Sequence, residues 1–222
     1  MRVILFGATG MVGQGVLREC LRDPEVEAVL SLVRTPTALN PAKLREVVQQ
    51  DVSDLSAIED DLGGYDACLF CLGVSSLGMA EPEYRRVTHD LTLSVARTLA
   101  SQNPGMTFIY VSGTGTDSSG RGRSMWARVK GETENDLLRL PFKAAYMFRP
   151  GFIRPLHGAA AKTKWLRCMY AVMGPFYPLL RALAPKYVTT TECIGRAMIQ
   201  VVRHGAPHRV LENRDINAAC RD

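Results

Sequence analysis

Val3-Ile4-Leu5-Phe6-Gly7-Ala8-Thr9-Gly10-Met11-Val12-Gly13-Gln14-Gly15 carries an apolar run straight into glycines at 7, 10 and 13. The order is strand, glycine-rich turn, helix, and that unit holds the pyrophosphate of a dinucleotide. Gly7 permits the tight turn, Gly10 lets the backbone approach the phosphates, and Gly13 lets the helix pack close to the strand. The helix start then offers free N–H groups and the positive end of its dipole to an anion. The spacing, G-x-x-G-x-x-G, is one residue wider than the simple dinucleotide fingerprint. Gly7, Thr9, Gly10, Met11, Val12 and Gly13 are the expected contacts.

Working outward, short apolar runs alternate with helical patterns. The runs are Val3–Phe6, Ala28–Val33, Arg45–Val48, Ala67–Leu72, Thr107–Val111 and Ala144–Phe148. Most lack polar alternation, as strands covered on both faces do. Helices are predicted near Met11–Arg22, Leu55–Leu62, Glu83–Ser101 and Ser124–Leu140, with Gly63-Gly64, Asn103-Pro104-Gly105 and Leu140-Pro141 as breaks. This alternation predicts a Rossmann-type, doubly wound parallel α/β sheet of order 3-2-1-4-5-6, with ligands at the carboxyl edge. The pattern changes after Arg149-Pro150-Gly151. Residues 1–155 are expected to form the dinucleotide domain, and 156–222 a substrate cap packed on it. In that second part Thr189, Thr190 and Thr191 are candidate caps for a helix running to Val202, and Arg209–Leu211 is a candidate strand.

Bulk properties exclude several classes. The 222 residues are 46% hydrophobic, enough for a sizeable core, and the net charge of +5 is mild and spread along the chain. That charge suits an anionic small molecule, and without a finger, RNA-binding motif or dense basic run no nucleic-acid partner is expected. No stretch approaches the ~20 apolar residues of a membrane span. The longest candidate, Cys168–Leu180, is broken by Gly174, Pro175 and Pro178, and the apolar segment Tyr170–Leu183 reads as part of the cap. The first apolar run is too short for a secretory signal, so a cytoplasmic protein is expected. Cys68 and Cys71, three apart in one apolar run, should point to opposite faces and serve neither a metal nor a disulfide. No metal site is expected.

The second strand ends Ser31-Leu32-Val33-Arg34-Thr35, with no carboxylate between Glu27 and Glu46. An acid at that place would grip the ribose 2′-OH of NAD; Arg34 suits a 2′-phosphate instead, helped by Thr35 and Thr37. NADP(H) is therefore favoured over NAD(H). Asp51 after the third strand can accept from an adenine amino group, with Val52 packing on the ring. Gly73 and Val74 after the fourth should pass near the adenine ribose.

Gly7-Ala8-Thr9-Gly10-Met11-Val12-Gly13, Asp51-Val52, Leu72-Gly73, Val111-Ser112-Gly113, Val129-Lys130-Gly131 and Phe148-Arg149-Pro150-Gly151 together resemble the short-chain dehydrogenase/reductase superfamily. The branch is the extended or atypical one, with its NAD(P)-dependent epimerases and NmrA-like NAD(P)H-binding proteins. The resemblance spans residues 1–155, loosens beyond, and places Leu72, Arg149, Pro150 and Gly151 at the cofactor. It implies an oxidoreductase or epimerase whose Ser, Tyr and Lys carry the chemistry. The Lys is Lys130, which also binds the nicotinamide ribose. Trp126 stands where the Tyr should be, and an indole does not titrate near neutrality. Ser112 is the expected substrate or oxyanion donor, Thr114 the second choice, and His157 a further candidate acid. Two readings stay open: an enzyme with a non-standard proton relay, or a non-catalytic NADP(H)-sensing protein. The resemblance also implies a homodimer through the helices Glu83–Ser101 and Ser124–Leu140.

Overall fold

The computed structural model describes residues 1–37, 39–159 and 184–221. Strand β1 (Arg2–Phe6) leads into α1 (Met11–Arg22), then β2 (Ala28–Val33) and β3 (Leu44–Val48). A 3₁₀ turn at Ser56–Asp61 stands where an α-helix was predicted, and β4 (Ala67–Phe70) follows. The helix predicted over Glu83–Ser101 comes in three parts: α2 (Glu81–Arg85), a π turn (Arg86–Asp90) and α3 (Leu91–Gln102). The wider turn carries His89 to Asp136, 3.0 Å away, across the gap to the next helix. Then come β5 (Thr107–Val111), α4 (Met125–Leu137), β6 (Ala144–Arg149) and β7 (Phe152–Arg154). The last described elements are β8 (Val188–Thr190), α5 (Thr191–His204), β9 (Val210–Glu212) and α6 (Asn213–Ala219).

The main sheet runs β3-β2-β1-β4-β5-β6-β9, with all pairs parallel. The predicted order holds, and one strand is added at its edge. Val3 and Leu5 face one core with α1 and α5, while Ile4 and Phe6 face the other with α3. Burial on both sides is why these strands show no alternation. Cys68 enters the second core, whereas Cys71, past the strand end, packs on the first.

Residues 188–219 are built into the same domain. β9 extends the main sheet, β8 pairs with β7, and Ile194, Ala197, Met198, Leu211 and Ile216 are core residues. This part of the chain supplies the apolar cover of α1. Thr190 is the residue that caps α5, accepting from the Cys193 N–H at 3.0 Å, because it stands directly before Thr191, the first helical residue. The expected cap residues Trp165, Tyr170 and Tyr177, and the apolar segment Tyr170–Leu183, lie outside the described residues.

Candidate functional site

The glycine turn sits at the carboxyl end of β1, between α1 and the start of the loop after β4. Gly7 has φ +83°, and a Cβ there would lie 2.7 Å from the Cys71 carbonyl, so the turn admits no side chain. A Cβ on Gly13 would lie 2.0 Å from the Gly7 oxygen. At Gly10 the demand is milder, with 3.3 Å to the same oxygen. Gly10 is the N-cap of α1 and offers no side-chain cap, and the first turn holds no acid. The first intrahelical bond runs from Gln14 N–H to Gly10 O at 2.8 Å. The N–H groups of Met11, Val12 and Gly13 thus precede the ladder and face the turn without intrahelical acceptors. The carbonyl of Thr9 accepts from the Gln14 side chain at 3.0 Å. An uncapped helix start beside a backbone cradle that a Cβ would fill fits a dinucleotide pyrophosphate.

Beyond β2, Arg34 is exposed, and its guanidinium makes no hydrogen bond or ion pair among the described residues. Only its carbonyl is used, by Gln50 Nε2 at 3.1 Å. Thr37 departs from expectation: its hydroxyl donates to Glu46 at 2.7 Å and its N–H at 3.0 Å, so β3 occupies it. Val52 is 9% exposed and belongs to the second core. One Asp51 oxygen is already engaged by the N–H and hydroxyl of Ser53 at 2.9 and 2.5 Å, which holds its carboxyl below the usual range. Leu72 packs on the second core, Gly73 faces open space, and Val74 is half exposed.

At the carboxyl end of β5 a buried ionic cluster departs from the expected triad. Ser112 Oγ lies 2.5 Å from Glu134 Oε1 and 3.1 Å from the Phe148 carbonyl, and its single proton is held between these acceptors. The hydroxyl turns inward, away from the role of substrate donor expected of it. Glu134 is 1% exposed and also accepts from Arg149 Nε at 3.0 Å and from its Nη2. Arg149 bonds Glu212 at 3.2 Å as well. Burial works against the Arg149 charge, but Glu134 and Glu212 outweigh it and raise its pKa. Arg149, expected at the cofactor, is therefore engaged inside the protein. Pro150 is buried, its carbonyl accepting from the Thr114 N–H at 2.9 Å. A Cβ on Gly151 would lie 2.2 Å from the Tyr187 carbonyl, and its N–H donates to Asn213 at 2.8 Å. The Arg-Pro-Gly segment thus closes on β8 and α6. Thr114, exposed, donates its hydroxyl to the Arg149 carbonyl at 3.1 Å.

Lys130 Nζ donates to the Ser112 carbonyl at 2.7 Å and lies 5.8 Å from the centre of the buried Tyr110 ring. Burial lowers its pKa from 10.5 to about 8, with Glu134 pulling the other way. Trp126, one turn earlier on α4, lies over the glycine turn after β5: a methyl on Gly115 would meet its ring at 3.6 Å. Its indole N–H has no partner among the described residues. His157 is bound to Glu192 at 2.6 Å, at the start of α5. Glu134 is the site residue that sequence reasoning missed. Its signal was spacing: Trp126, Lys130 and Glu134 follow at i, i+4 and i+8 on one helix face.

Comparison with known proteins places this geometry. A family of NAD(P)H-binding domains matches residues 7–138. Protein fmp52 of Emericella nidulans, a mitochondrial protein, is 30% identical over 205 residues, covering 89% of this chain and 85% of that one. Mitochondrial FMP52 of Eremothecium gossypii is 30% identical over 155 residues, covering 69% of this chain and 66% of the relative's length. These relatives overturn the cytoplasmic expectation. A short apolar N-terminus speaks only against a secretory signal and carries no information on other import routes. Among solved structures, the Bordetella bronchiseptica enzyme WbmF in complex with NAD+ superposes with TM-score 0.68 at 13% identity, covering 99% of this chain and 77% of that one. A short-chain dehydrogenase/reductase from Saccharomyces cerevisiae gives 0.66 at 14%, covering 96% of each. With its glycine cradle, its parallel sheet and a family match across more than half its length, the chain belongs to the NAD(P)H-binding family and carries the short-chain dehydrogenase/reductase fold.

Proposed function

We propose that the protein is an NADP(H)-dependent oxidoreductase or epimerase acting on a small molecule, with Lys130 as its proton-handling group. Lys130 carries this reading: an ammonium lowered to about 8 stands one helical turn from Trp126, where the superfamily Tyr would be. An ammonium has three protons, and the Ser112 carbonyl takes one at 2.7 Å. The Val111 carbonyl accepts a second, longer bond at 3.5 Å, and the remaining donor capacity would serve a ribose hydroxyl and a substrate oxygen. Near neutral pH Lys130 is mostly charged, so it acts as an acid; above pH 8 it becomes a base. Trp126 forms the apolar wall and offers an N–H that orients a substrate without titrating.

Gly7 to Gly13 would hold the pyrophosphate, Arg34 the 2′-phosphate, Val52 the adenine, and Gly73 and Val74 the adenine ribose. The guanidinium of Arg34, exposed and without a partner among the described residues, supports the preference for NADP(H). The chemistry such a dinucleotide supplies when bound is hydride exchange with a substrate carbon. We also assign α3 and α4 as a homodimer face, which sedimentation at several concentrations tests.

A second reading is favoured by one observation: Ser112 is held by Glu134 and the Phe148 carbonyl. On it, the protein senses NADP(H) without turnover. A panel of aldehydes, ketones and quinones with NADPH separates the two. Turnover by the wild type that disappears in Lys130→Met supports the enzyme. Turnover gained only in Trp126→Tyr supports the sensor.

A further inference from the structure

α5 and α6 meet at a pair of cysteines that the nucleotide site does not use. Cys193 lies in the first turn of α5, and Cys220 is the C-cap of α6. Their thiols lie within interaction range of each other. Cys193 Sγ also lies 3.5 Å from Asn217 Oδ1. The Thr189 hydroxyl is 3% exposed and has no hydrogen-bond partner among the described residues. Both cysteines are partly exposed, while Cys20 and Cys68 are fully buried. Cys220 lines an open pocket of about 350 Å³ together with Arg22, Arg196 and Arg221, and Cys193 is itself partly exposed, so small oxidants reach both sulfurs from solvent.

We propose that Cys193 and Cys220 are a redox-active dithiol that a hydroperoxide closes into a disulfide joining α5 to α6. Cys193 is the nucleophile. The neighbouring Cys220 S–H and the charges of Arg196 and Arg221 favour its thiolate against the cost of burial, holding its pKa below the ordinary range. Its place at a helix start adds to this. Cys220 is held as the thiol, because its anion would sit beside that of Cys193 and is partly buried. In the first step the Cys193 sulfur attacks the peroxide: an S–O bond forms, the O–O bond breaks, and one water leaves after taking a proton. In the second, the Cys220 sulfur displaces the hydroxyl from the sulfenic acid, forming the S–S bond and releasing a second water. The two thiols lose two electrons and two protons, and hydrogen peroxide is reduced to two waters.

The test uses the reduced full chain, treated with a few equivalents of hydrogen peroxide near neutral pH. Non-reducing peptide mass spectrometry should show the Cys193 and Cys220 peptides joined and lighter by two hydrogens, reverting with dithiothreitol. Two of the six thiols should be lost, with Cys193 reacting at least ~10-fold faster than Cys20 or Cys68. Cys220→Ser should trap a sulfenic acid on Cys193 that dimedone labels, and Cys193→Ser should leave Cys220 unoxidised. The proposal is overturned if wild-type Cys193 is labelled by dimedone without bridging. It is equally overturned if Cys193 pairs with another cysteine, or reacts no faster than the buried thiols.

Discussion

Removing Arg149 tests whether the cluster below β5 is structural. Glu134 is 1% exposed and the Arg149 side chain 13%, so Arg149→Met leaves a buried carboxylate facing only the Ser112 hydroxyl and the Lys130 charge. Breaking a buried pair by deleting one partner costs ~3–5 kcal/mol. The bond from Arg149 to Glu212 adds little, because Glu212 is 46% exposed and screened by water. For a chain of this length, 1 kcal/mol moves Tm by ~2–4 °C, so Tm should fall by roughly 6–20 °C. Arg149→Met/Glu134→Leu should recover most of this loss, since a packed apolar pair replaces a buried ion pair at little net cost. Ser112 then keeps the Phe148 carbonyl as its acceptor. Scanning calorimetry on the single and double variants at one protein concentration decides it. A fall below roughly 3 °C in Arg149→Met, or a double variant no more stable than the single, would refute the reasoning.

Four further outcomes are expected. Arg34→Ala should weaken NADPH ~10–100-fold and leave NADH unchanged, the size of one lost charge-assisted contact; calorimetric titration reads this, and equal weakening of both would remove the 2′-phosphate assignment. Gly13→Ala should lose more than ~2 kcal/mol of stability in urea melts because its methyl lands 2.0 Å from the Gly7 oxygen, whereas Gly10→Ala, at 3.3 Å, should fold normally and lose dinucleotide binding. Carbonyl reduction should decline as pH rises through about 8, where Lys130 loses its proton, and a flat rate from pH 7 to 9 would exclude that role. Because the folded Lys130 pKa is depressed from 10.5 to about 8, the unfolded chain binds more protons between those values. Stability should therefore gain with rising pH in that window, a gain that pH-dependent urea melts of Lys130→Met should lack.

Much of the architecture was legible in sequence because it rests on local rules. Val3–Phe6 running into Gly7, Gly10 and Gly13 leaves one backbone solution, and the continuous apolar runs announced strands covered on both faces. Helix boundaries were less legible. The π turn at Arg86–Asp90 has no sequence signature of its own, and the cap at Thr190 follows from where β8 ends and α5 begins, at Thr191.

The division is clearest at the site. Sequence by itself determined the glycine cradle, the basic Arg34 where an acid would select NAD, and the indole at Trp126, because these depend on residue type at a fixed place in the motif. Only the tertiary structure decided what the side chains touch. It set Glu134 of α4 between Ser112 and Arg149, engaged Arg149 with Glu134 and the Gly151 N–H with Asn213, and brought Cys193 near Cys220. Those partners lie 15 to 62 residues apart. Whether such groups meet is fixed by sheet order and helix packing, through long-range burial that no local pattern encodes.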